Sequence, residues 1–502
     1  MDVIASSFQL IATPEVALVV LLSSIYGLVI GCIPGLSATM ATALLVPITF
    51  YLSPIAAVAA IISSSAMAIF SGDIPGTLLR IPGTPASAAY TQEAYAFTKR
   101  GEPEIALGAA LWFSAIGGIV GTLALVLIAP SLAELALEFS SYEYFWLGCL
   151  GLLCATLVSS GSQTKAMAAM LVGLLVSCVG MENAAGTPRF TFGSIDLLSG
   201  IDVIAVLVGV FAVAEVMRAM TTPPPPKLPR RRFGSILGGQ WALTLRYRWQ
   251  MLRGNVVGVI IGVLPGAGAD MAAWVSYAIS KRFSKTPEKF GTGHAEGLVE
   301  AGASNNASLA SGWVPSLLFG IPGDTITAIA IGVLYMKGLN PGPTLFTQNA
   351  ASMYAIYWIF LVANIIMIPL GIMMIRGTSY VLEVPRWAIM ASVLLCCAVG
   401  AYAVTNSPFS ILVVAAFGVV GFTMDRFGYS VAAFVLGLVM GPMVEQNFVT
   451  SLIKSGGSLM PFVDRPVAAI LAMLTIGALV APLVARLLPQ RADRPASASS
   501  GK

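Results

Sequence analysis

The chain is long, apolar and nearly uncharged, which excludes most classes of soluble protein. Its 502 residues are 57% hydrophobic and only 10% charged, with a mean hydropathy of +0.86. A soluble domain carries about 25% charged residues, and no soluble fold of this size could cover so much apolar surface. The net charge is only +4 and the basic residues sit in a few loops, which argues against nucleic-acid binding. Composition therefore predicts an all-α polytopic membrane protein.

The first part of the chain predicts a series of membrane spans. Apolar spans are expected at residues 15–33, 36–52, 54–70, 105–130, 143–160, 164–181 and 201–220. Most are close to the ~20 residues that a bilayer requires. The N-terminus lacks a basic region and a clear cleavage site, so the first span is predicted to be retained. Residues 71–90 contain Asp73, Arg80 and several prolines, which favours a loop that dips into the membrane over a continuous helix.

Residues 221–253 are the clearest linker. They begin near a four-proline run, Pro223 to Pro226, which is typical of a semi-rigid extended spacer. Many basic residues and no acidic residue follow, so the loop is predicted to be cytoplasmic. The linker divides an N-terminal transmembrane repeat (1–220) from a C-terminal repeat with extra helices (254–488). Residues 489–502 are interpreted as a disordered tail, and nearby arginines place it in the cytoplasm.

The C-terminal half opens with an interrupted apolar segment. Residues 254–280 are apolar apart from Asp270 and the break Pro265–Gly268, and basic residues precede and follow them. Both ends are therefore expected in the cytoplasm, joined by a re-entrant hairpin; the alternative is a full span that departs from the charge rule. Later apolar segments are predicted at 307–320, 325–336, 347–375, 384–404, 408–424, 427–445 and 465–487. The total is about 10–14 membrane segments.

Glycine and proline clusters occur twice in the same order. Gly27, Gly31, Pro34 and Gly35 match Gly258, Gly262, Pro265 and Gly266 at a constant separation of 231 residues (258 − 27). Ile81-Pro82-Gly83 matches Ile321-Pro322-Gly323 at a separation of 240 (321 − 81). Two ordered clusters indicate two internal repeats, which we expect to be inverted. Paired breaks in corresponding halves are the best sequence pointer to a secondary-transporter binding site.

Broken helices supply their own binding chemistry. One end of each gap exposes N–H groups that suit carboxylates, and the other exposes C=O groups that suit Na⁺. Nearby hydroxyls and amides add oxygen ligands or donors, with a candidate Na⁺ site near Asn305 and Asn306. The predicted substrate- and ion-binding residues are Pro34, Gly35, Ser37, Pro82, Gly83, Thr84, Pro85, Ser87, Pro265, Gly266, Gly268, Ser304, Asn305, Asn306, Pro322, Gly323, Asp324 and Thr325.

Each of these features also has a purely structural interpretation. A single Pro-Gly in a span is often only a kink, and Asn305-Asn306 could be a helix–helix hydrogen-bond pair or a cap. Asp73 and Asp324 could lie in ordinary surface loops. Ionisable residues inside a membrane are nevertheless functional candidates, so Asp73, Asp270 and Asp324 are of interest.

Catalytic and metal chemistry are disfavoured. The six cysteines lie in apolar segments and are interpreted as buried hydrophobes: Cys32, Cys149, Cys154, Cys178, Cys396 and Cys397. His294 is the only histidine, so an intramembrane enzyme has little support and no cofactor is expected beyond a coupling ion. A passive anion channel and a purely structural membrane partner also compete with a transporter.

An ordered set of motifs covers nearly the whole chain. Its members are Gly27–Gly35, Arg80–Ser87, Lys99–Gly101, Pro188–Gly193, Phe290–Gly293, Asn305–Ala307, Gly320–Gly323 and Gly338–Pro343. This set resembles the large membrane subunit of the tripartite tricarboxylate transporter family (TctA-like). The resemblance implies a multi-pass secondary transporter of the bacterial inner membrane, driven by a Na⁺ or H⁺ gradient. It also implies a small membrane subunit (TctB-like) and a periplasmic solute-binding protein (TctC-like) that delivers an organic di- or tricarboxylate.

The chain departs from that family pattern at three places. The acidic residue expected three positions before Asn305 is replaced by Gly302, with Glu300 two residues earlier. A Gly-Gly-Ser-type stretch appears as Ser71-Gly72-Asp73, and an Asp-Gly pair appears as Glu93-Ala94. These departures concern the substrate and the coupling ion more than the fold.

Overall fold

The described part of the chain is almost entirely helical. The computed structural model describes residues 2–158, 162–182, 186–222 and 233–487. Two short strands, Gly180–Met181 and Pro188–Arg189, pair antiparallel with Gly180 opposite Arg189. The helices before the linker are α1 (Asp2–Ile11), α2 (Pro14–Cys32), α3 (Ala38–Thr49), α4 (Pro54–Ser71), α5 (Asp73–Leu79), α6 (Pro85–Ala88), α7 (Thr91–Arg100), α8 (Pro103–Ala136), α9 (Ser141–Val158), α10 (Gln163–Ser177), α11 (Val203–Val208), a π-helix (Gly209–Val213) and α12 (Ala214–Thr221).

The described residues after the linker are also helical. Its helices are α13 (Gln240–Arg246), α14 (Arg248–Val263), α15 (Gly268–Phe283), a 3₁₀ turn (Pro287–Lys289), α16 (Ala295–Ser311), α17 (Trp313–Phe319), α18 (Thr325–Met336), α19 (Pro343–Gln348), α20 (Ala350–Leu382), α21 (Arg386–Thr405), α22 (Pro408–Arg426), α23 (Val431–Lys454), α24 (Pro461–Asp464) and α25 (Pro466–Leu487). Most predicted spans agree with these bounds to within a few residues, because an apolar run long enough to cross a bilayer is set by the membrane thickness.

The number of apolar helices fits a polytopic membrane protein. In the described residues, eight helices are long and apolar enough to span a membrane, and four shorter apolar helices accompany them. Together they make twelve, which lies within the predicted range. The all-α polytopic fold is therefore confirmed.

The segment 71–90 differs from its prediction. We expected a non-helical loop, but α5 continues α4 after a single break at Gly72, and α6 adds one further turn. Pro75 is the third residue of α5, where its missing N–H would have had no partner within the helix. Proline therefore does not end the helix there. The helix ends instead at Arg80, whose φ of 60° is left-handed.

The centre of the molecule is the α4–α5 unit. It spans 26 residues, Pro54–Leu79, and residues 55–78 are buried inside the protein. Alanine and serine dominate α4, and a helix without a polar face belongs in the interior. Its small side chains let α2, α3, α8 and α20 pack closely around it.

Two pairs of helices make the same close contact. A Cβ atom added to Gly27 in α2 would lie 2.2 Å from the Ser64 carbonyl oxygen in α4, and one added to Gly258 in α14 would lie 2.5 Å from that of Ser304 in α16. These positions have the sequence offsets of the duplicated motifs, 231 and 240 residues (258 − 27, 304 − 64). The repeated contact supports an internal duplication, and the inverted relation between the halves stays a prediction.

Basic loops from different parts of the chain lie together. Arg100 at the end of α7 donates to the carbonyl of Thr292, and Glu104 accepts a 3.1 Å hydrogen bond from the backbone of Gly234. Glu93 accepts bonds of 2.7 Å from the backbone N–H groups of both Gly293 and His294. Helix α7 and the start of α8 thus lie against the segments that precede α13 and α16.

Part of the predicted linker lies outside the described residues. This part is the proline run with the first arginines (223–232). The predicted C-terminal tail (489–502) also lies outside the described residues, and the domain boundaries stay predictions. The later part of the linker is helical rather than extended, since α13 and the start of α14 occupy it. Arg253 in α14 forms a bidentate ion pair with buried Glu300, at 2.6 Å for both bonds, so it is not a free loop charge.

The close helix contact gives a stability prediction. Gly258→Ala places a Cβ 2.5 Å from the Ser304 carbonyl oxygen, and overpacking of this kind costs about 1–3 kcal/mol. The thermal unfolding temperature in detergent should fall. Gly332→Ala is the matched control, because nothing lies within 4 Å of its added Cβ and alanine favours a helix over glycine by about 1 kcal/mol. Equal unfolding temperatures for the two variants would contradict the packing described here.

Candidate functional site

The predicted breaks of the two halves meet. Thr39, two residues after Ser37, has its hydroxyl 2.9 Å from the hydroxyl of Thr325. The carboxylate of Asp270 accepts a 3.0 Å hydrogen bond from the backbone N–H of Ala86. Each contact joins a residue of the first half to a residue of the second. The broken segments therefore form one site inside the protein instead of separate surface connections.

The first break in each half is a tight turn between two helices. The chain turns between α2 and α3 with Gly35 at φ 93°, and between α14 and α15 with Gly266 at φ 80°. Such left-handed angles favour glycine because a side chain would clash with the backbone. Ser37 then caps α3 by accepting a 3.1 Å bond from the N–H of Met40. Both turns leave helix N-termini pointing into the site.

The second break has matching geometry in both halves. The helix ends at Arg80 or Gly320, each left-handed with φ 60° and 66°. The next N–H then bonds back, from Ile81 to Pro75 at 3.4 Å and from Ile321 to Pro315 at 3.3 Å. After Pro82 and Pro322 a new helix starts with a reciprocal capping box, Thr84 with Ser87 and Asp324 with Thr327. The caps satisfy N–H groups that lipid could not.

The turns enclose a cavity of about 260 Å³. It is lined by Ser37, Ala38, Thr39, Ile69, Thr84, Pro85, Phe211, Arg218, Gly266, Ala267, Gly268, Ala269, Asp270, Asp324, Thr325, Ile326, Ala432 and Leu436. The first residues of three helices longer than one turn border it: α3 at Ala38, α15 at Gly268 and α18 at Thr325. Each N-terminus carries a partial positive charge, so their convergence favours an anion.

Charged side chains of both signs face this cavity. Asp270 and Asp324 contribute two carboxylates, and the Asp324 carboxylate accepts a 2.8 Å bond from the N–H of Thr327. Arg218 contributes a guanidinium, which also forms ion pairs with Glu215 and with Asp425, the latter at 2.7 Å. The cavity therefore combines cationic and acidic groups with hydroxyls, and it can hold an anion that also carries hydrogen-bond donors or is accompanied by a cation.

Seven of the predicted site residues line the cavity: Ser37, Thr84, Pro85, Gly266, Gly268, Asp324 and Thr325. The other predicted residues do not line it: Pro34, Gly35, Pro82, Gly83, Ser87, Pro265, Ser304, Asn305, Asn306, Pro322 and Gly323. Several of these shape the backbone around it. Gly83, for example, donates a 3.0 Å bond to the carbonyl of Gly72, and the close approach leaves no space for a side chain.

The two asparagines lie deeper in the protein. Asn305 has its amide nitrogen 3.5 Å from the hydroxyl of Tyr90. Asn306 has its amide nitrogen 3.5 Å from the carbonyl of Ala66 and 3.8 Å from the sulfur of Met367. Both are fully or almost fully buried. They connect α16 to the N-terminal half, and the Na⁺ site near them stays a prediction.

Sequence analysis missed several residues that line the cavity. Arg218 and Phe211 come from the last helix of the first half, where the π-helix Gly209–Val213 interrupts the α-helix. Such interruptions often occur at functional sites. Glu215 and Arg218 are ionisable residues in an otherwise apolar span, and this signal could have identified them. Ala432 and Leu436 from α23 carry no signal beyond their apolar character.

Comparison with known proteins shows the family of this chain. The model of the tripartite tricarboxylate transporter TctA family matches residues 17–436. The chain belongs to this family. A TctA family protein is a component of a membrane transporter, so the prediction that this chain is not an enzyme is confirmed.

Two curated relatives come from Agrobacterium vitis. An uncharacterized 52.8 kDa protein in the TAR-I ttuC' 3' region is 32% identical over 495 residues, covering 97% of each chain. An uncharacterized protein in the TAR-II ttuC' 3' region is 31% identical over 237 residues, which is 47% of this TctA family chain and 97% of the relative. No solved structure matches the chain.

The contact between the halves predicts a disulfide cross-link. The test variant carries Thr39→Cys and Thr325→Cys, and its six native cysteines are replaced by serine. The two new thiols should form a disulfide readily, because the native hydroxyls are 2.9 Å apart and the two Cβ atoms are therefore close together. With a protease site inserted in the linker, cleaved protein should run as one band on a non-reducing gel and as two bands after reduction. Each single-cysteine variant should give two bands under both conditions. Two bands from the oxidised double variant would show that the breaks do not meet.

Proposed function

We propose that this TctA family chain is the transmembrane subunit that carries an organic di- or tricarboxylate into a bacterial cell. Import is coupled to a Na⁺ or H⁺ gradient, and the substrate arrives on a periplasmic solute-binding protein while a small membrane subunit completes the complex. The observation that carries this proposal is the convergence of three helix N-termini on one cavity lined by residues of both halves.

The cavity suits a carboxylate for a specific physical reason. Backbone N–H groups at a helix N-terminus are fixed dipoles, and they bind an anion without the cost of ordering flexible side chains. The hydroxyls of Ser37, Thr39 and Thr325 add donors, and Arg218 adds a positive charge beside them. The carboxylates of Asp270 and Asp324 disfavour a bare polyanion, so the substrate should also present hydroxyl donors or enter with a cation.

The orientation follows from the positions of the basic loops. The contacts of Arg100 with Thr292 and of Glu104 with Gly234 bring basic segments of both halves to one side. By the positive-inside rule that side is the cytoplasm. Helix α14 then starts on that side and α15 ends on it, which favours a re-entrant hairpin for residues 254–280. The C-terminus is assigned to the cytoplasm on the same rule.

Alternating access fits the paired breaks. The same turns, left-handed helix ends and capping boxes occur in both halves around one cavity. Inverted repeats would let one half adopt the shape of the other with the opening reversed. The rival function, a passive anion channel, requires no such pairing and no binding protein.

Reconstitution tests the proposed function. A ligand screen of the binding protein first identifies the carboxylate. Proteoliposomes that contain this chain and its small subunit, supplied outside with the binding protein and that carboxylate, should accumulate the carboxylate against its gradient. The accumulation should require an ion gradient and the binding protein. Flux that only equilibrates the carboxylate, with neither requirement, would favour the channel.

One hydroxyl gives a specific prediction for the site. Thr325→Val removes a cavity-lining hydroxyl with little change of shape, and the loss of one hydrogen bond of about 0.5–1.5 kcal/mol should weaken apparent substrate affinity by up to about tenfold. The matched control is Thr423→Val, on an exposed side of α22 where the hydroxyl only bonds to Val420. Its uptake should equal that of the unmodified protein. Unchanged affinity in Thr325→Val would remove this hydroxyl from the substrate site.

A further inference from the structure

A second polar cluster lies beside the cavity and is closed to water. The hydroxyl of Tyr90 donates a 2.7 Å hydrogen bond to Oδ1 of Asp73, and the amide nitrogen of Asn305 lies 3.5 Å from the same hydroxyl. Asp73 and Tyr90 are each 2% exposed and Asn305 is fully buried. These residues come from α5, the turn before α7, and α16, so the cluster joins the two halves.

Two oxygen atoms of this cluster have no hydrogen-bond partner among the described residues, Oδ2 of Asp73 and Oδ1 of Asn305. In the same part of the chain no lysine, arginine or histidine forms an ion pair with Asp73. An isolated ionised carboxylate in an apolar interior costs several kcal/mol or more, on the order of the penalties measured for buried charges. An ionised Asp73 would therefore be costly in this closed arrangement, and a bound positive ion, either a proton or a metal cation, would remove that cost.

The helices that surround Asp73 carry several charged or titratable residues. Helices α2, α4, α6, α7 and α8 pack against α5, and α4 and α6 contain no charged residue. The titratable or charged residues of the other helices are Glu15, Tyr26 and Cys32 in α2, Glu93, Tyr95, Lys99 and Arg100 in α7, and Glu104 and Glu134 in α8.

None of these side chains has a described hydrogen bond or ion pair with Asp73. Glu93 and Arg100 are held by the loop before α16, Glu15 by the N–H of Ser53, and Glu104 by that of Gly234. On the other side of the cluster, Glu300 in α16 pairs with Arg253. Among the described residues, Tyr90 is the titratable group with a hydrogen bond to Asp73, and the adjacent cavity contributes two further acids, Asp270 and Asp324.

The ligand count favours a proton over a metal cation. The Tyr90 hydroxyl already donates to Asp73 and faces the amide of Asn305, so it has little remaining capacity. Only Oδ2 of Asp73 and Oδ1 of Asn305 are left in the cluster, fewer than the several oxygens that a hard cation requires. One proton on Oδ2 neutralises the carboxyl and supplies a donor where both free oxygens are acceptors.

The cluster is mechanically connected to the cavity. Asp73 directly follows Gly72, and a Cβ added to Gly72 would lie 2.6 Å from the methyl carbon of Thr84. Thr84 lines the cavity and caps α6. We therefore expect movement of the second break during substrate binding to be transmitted through this contact to the backbone beside Asp73.

From this geometry we propose that Asp73 is the proton-carrying group of the transporter. Its carboxylate takes one H⁺ on Oδ2 when the cluster opens toward the periplasm, holds it in the closed state beside Tyr90 and Asn305, and releases it to the cytoplasm with the substrate. No other bond forms or breaks. This inference rests on the proposed carboxylate import and assigns H⁺ as its coupling ion.

The test compares exchange with accumulation in proteoliposomes that contain the full complex. Carboxylate exchange across the membrane at equal pH requires no net proton movement, whereas accumulation does. Asp73→Asn should retain exchange and lose accumulation driven by an alkaline interior, by about tenfold or more. A pH-sensitive dye inside the vesicles should report substrate-dependent proton entry for the unmodified protein and none for Asp73→Asn. Asp464→Asn, at an exposed turn, is the control and should behave as the unmodified protein.

A second variant covers the case in which Asp73→Asn does not fold. Tyr90→Phe keeps the ring but removes the hydrogen bond that stabilises the ionised carboxylate, so the pH profile of uptake should move to higher pH. Full pH-driven accumulation by Asp73→Asn, an unmoved profile for Tyr90→Phe, or accumulation that follows a Na⁺ gradient without proton entry would each overturn the inference. Failure of the unmodified complex to exchange any carboxylate would instead overturn the proposed function.

Discussion

The constraint on which this structure depends is that lipid offers no hydrogen bonds. Every helix that stops inside the membrane must have its free N–H and C=O groups covered by protein or by a polar ligand. The chain meets this requirement with capping boxes at Thr84 and Asp324 and with backbone bonds such as Gly83 to Gly72. The helix N-termini that follow these breaks border one cavity, so the same constraint that limits the fold also shapes the candidate site.

Small residues make this arrangement possible. Helices α2 and α14 approach α4 and α16 so closely that a methyl group at Gly27 or Gly258 would meet backbone atoms. Close packing of this kind replaces the hydrophobic effect, which gives no drive for association between helices already in lipid. It also holds the broken segments of the two halves in register, and the 2.9 Å contact between Thr39 and Thr325 depends on that register.

The acidic residues of the interior divide into two environments. Asp270 and Asp324 face the cavity, and Asp270 remains exposed there. Asp73 is enclosed with Tyr90 and Asn305 one residue beyond Gly72, which lies against cavity-lining Thr84. In the proposed mechanism, substrate and proton therefore occupy separate sites joined by the contact between Gly72 and Thr84, so they couple without direct competition between the two.

The sequence by itself determined the membrane class, the positions of most spans and the duplicated breaks, because bilayer thickness and helix-breaking residues act locally. It also predicted Ser37, Thr84, Asp324 and Thr325, which do line the cavity. Only the tertiary structure separated them from Asn305 and Asn306, which lie deeper, and brought in Phe211 and Arg218 from the last helix of the first half. Local patterns specify where a helix stops. Packing between distant parts of the chain selects the neighbours of that stop, as in the contact between Thr39 and Thr325, which are 286 residues apart.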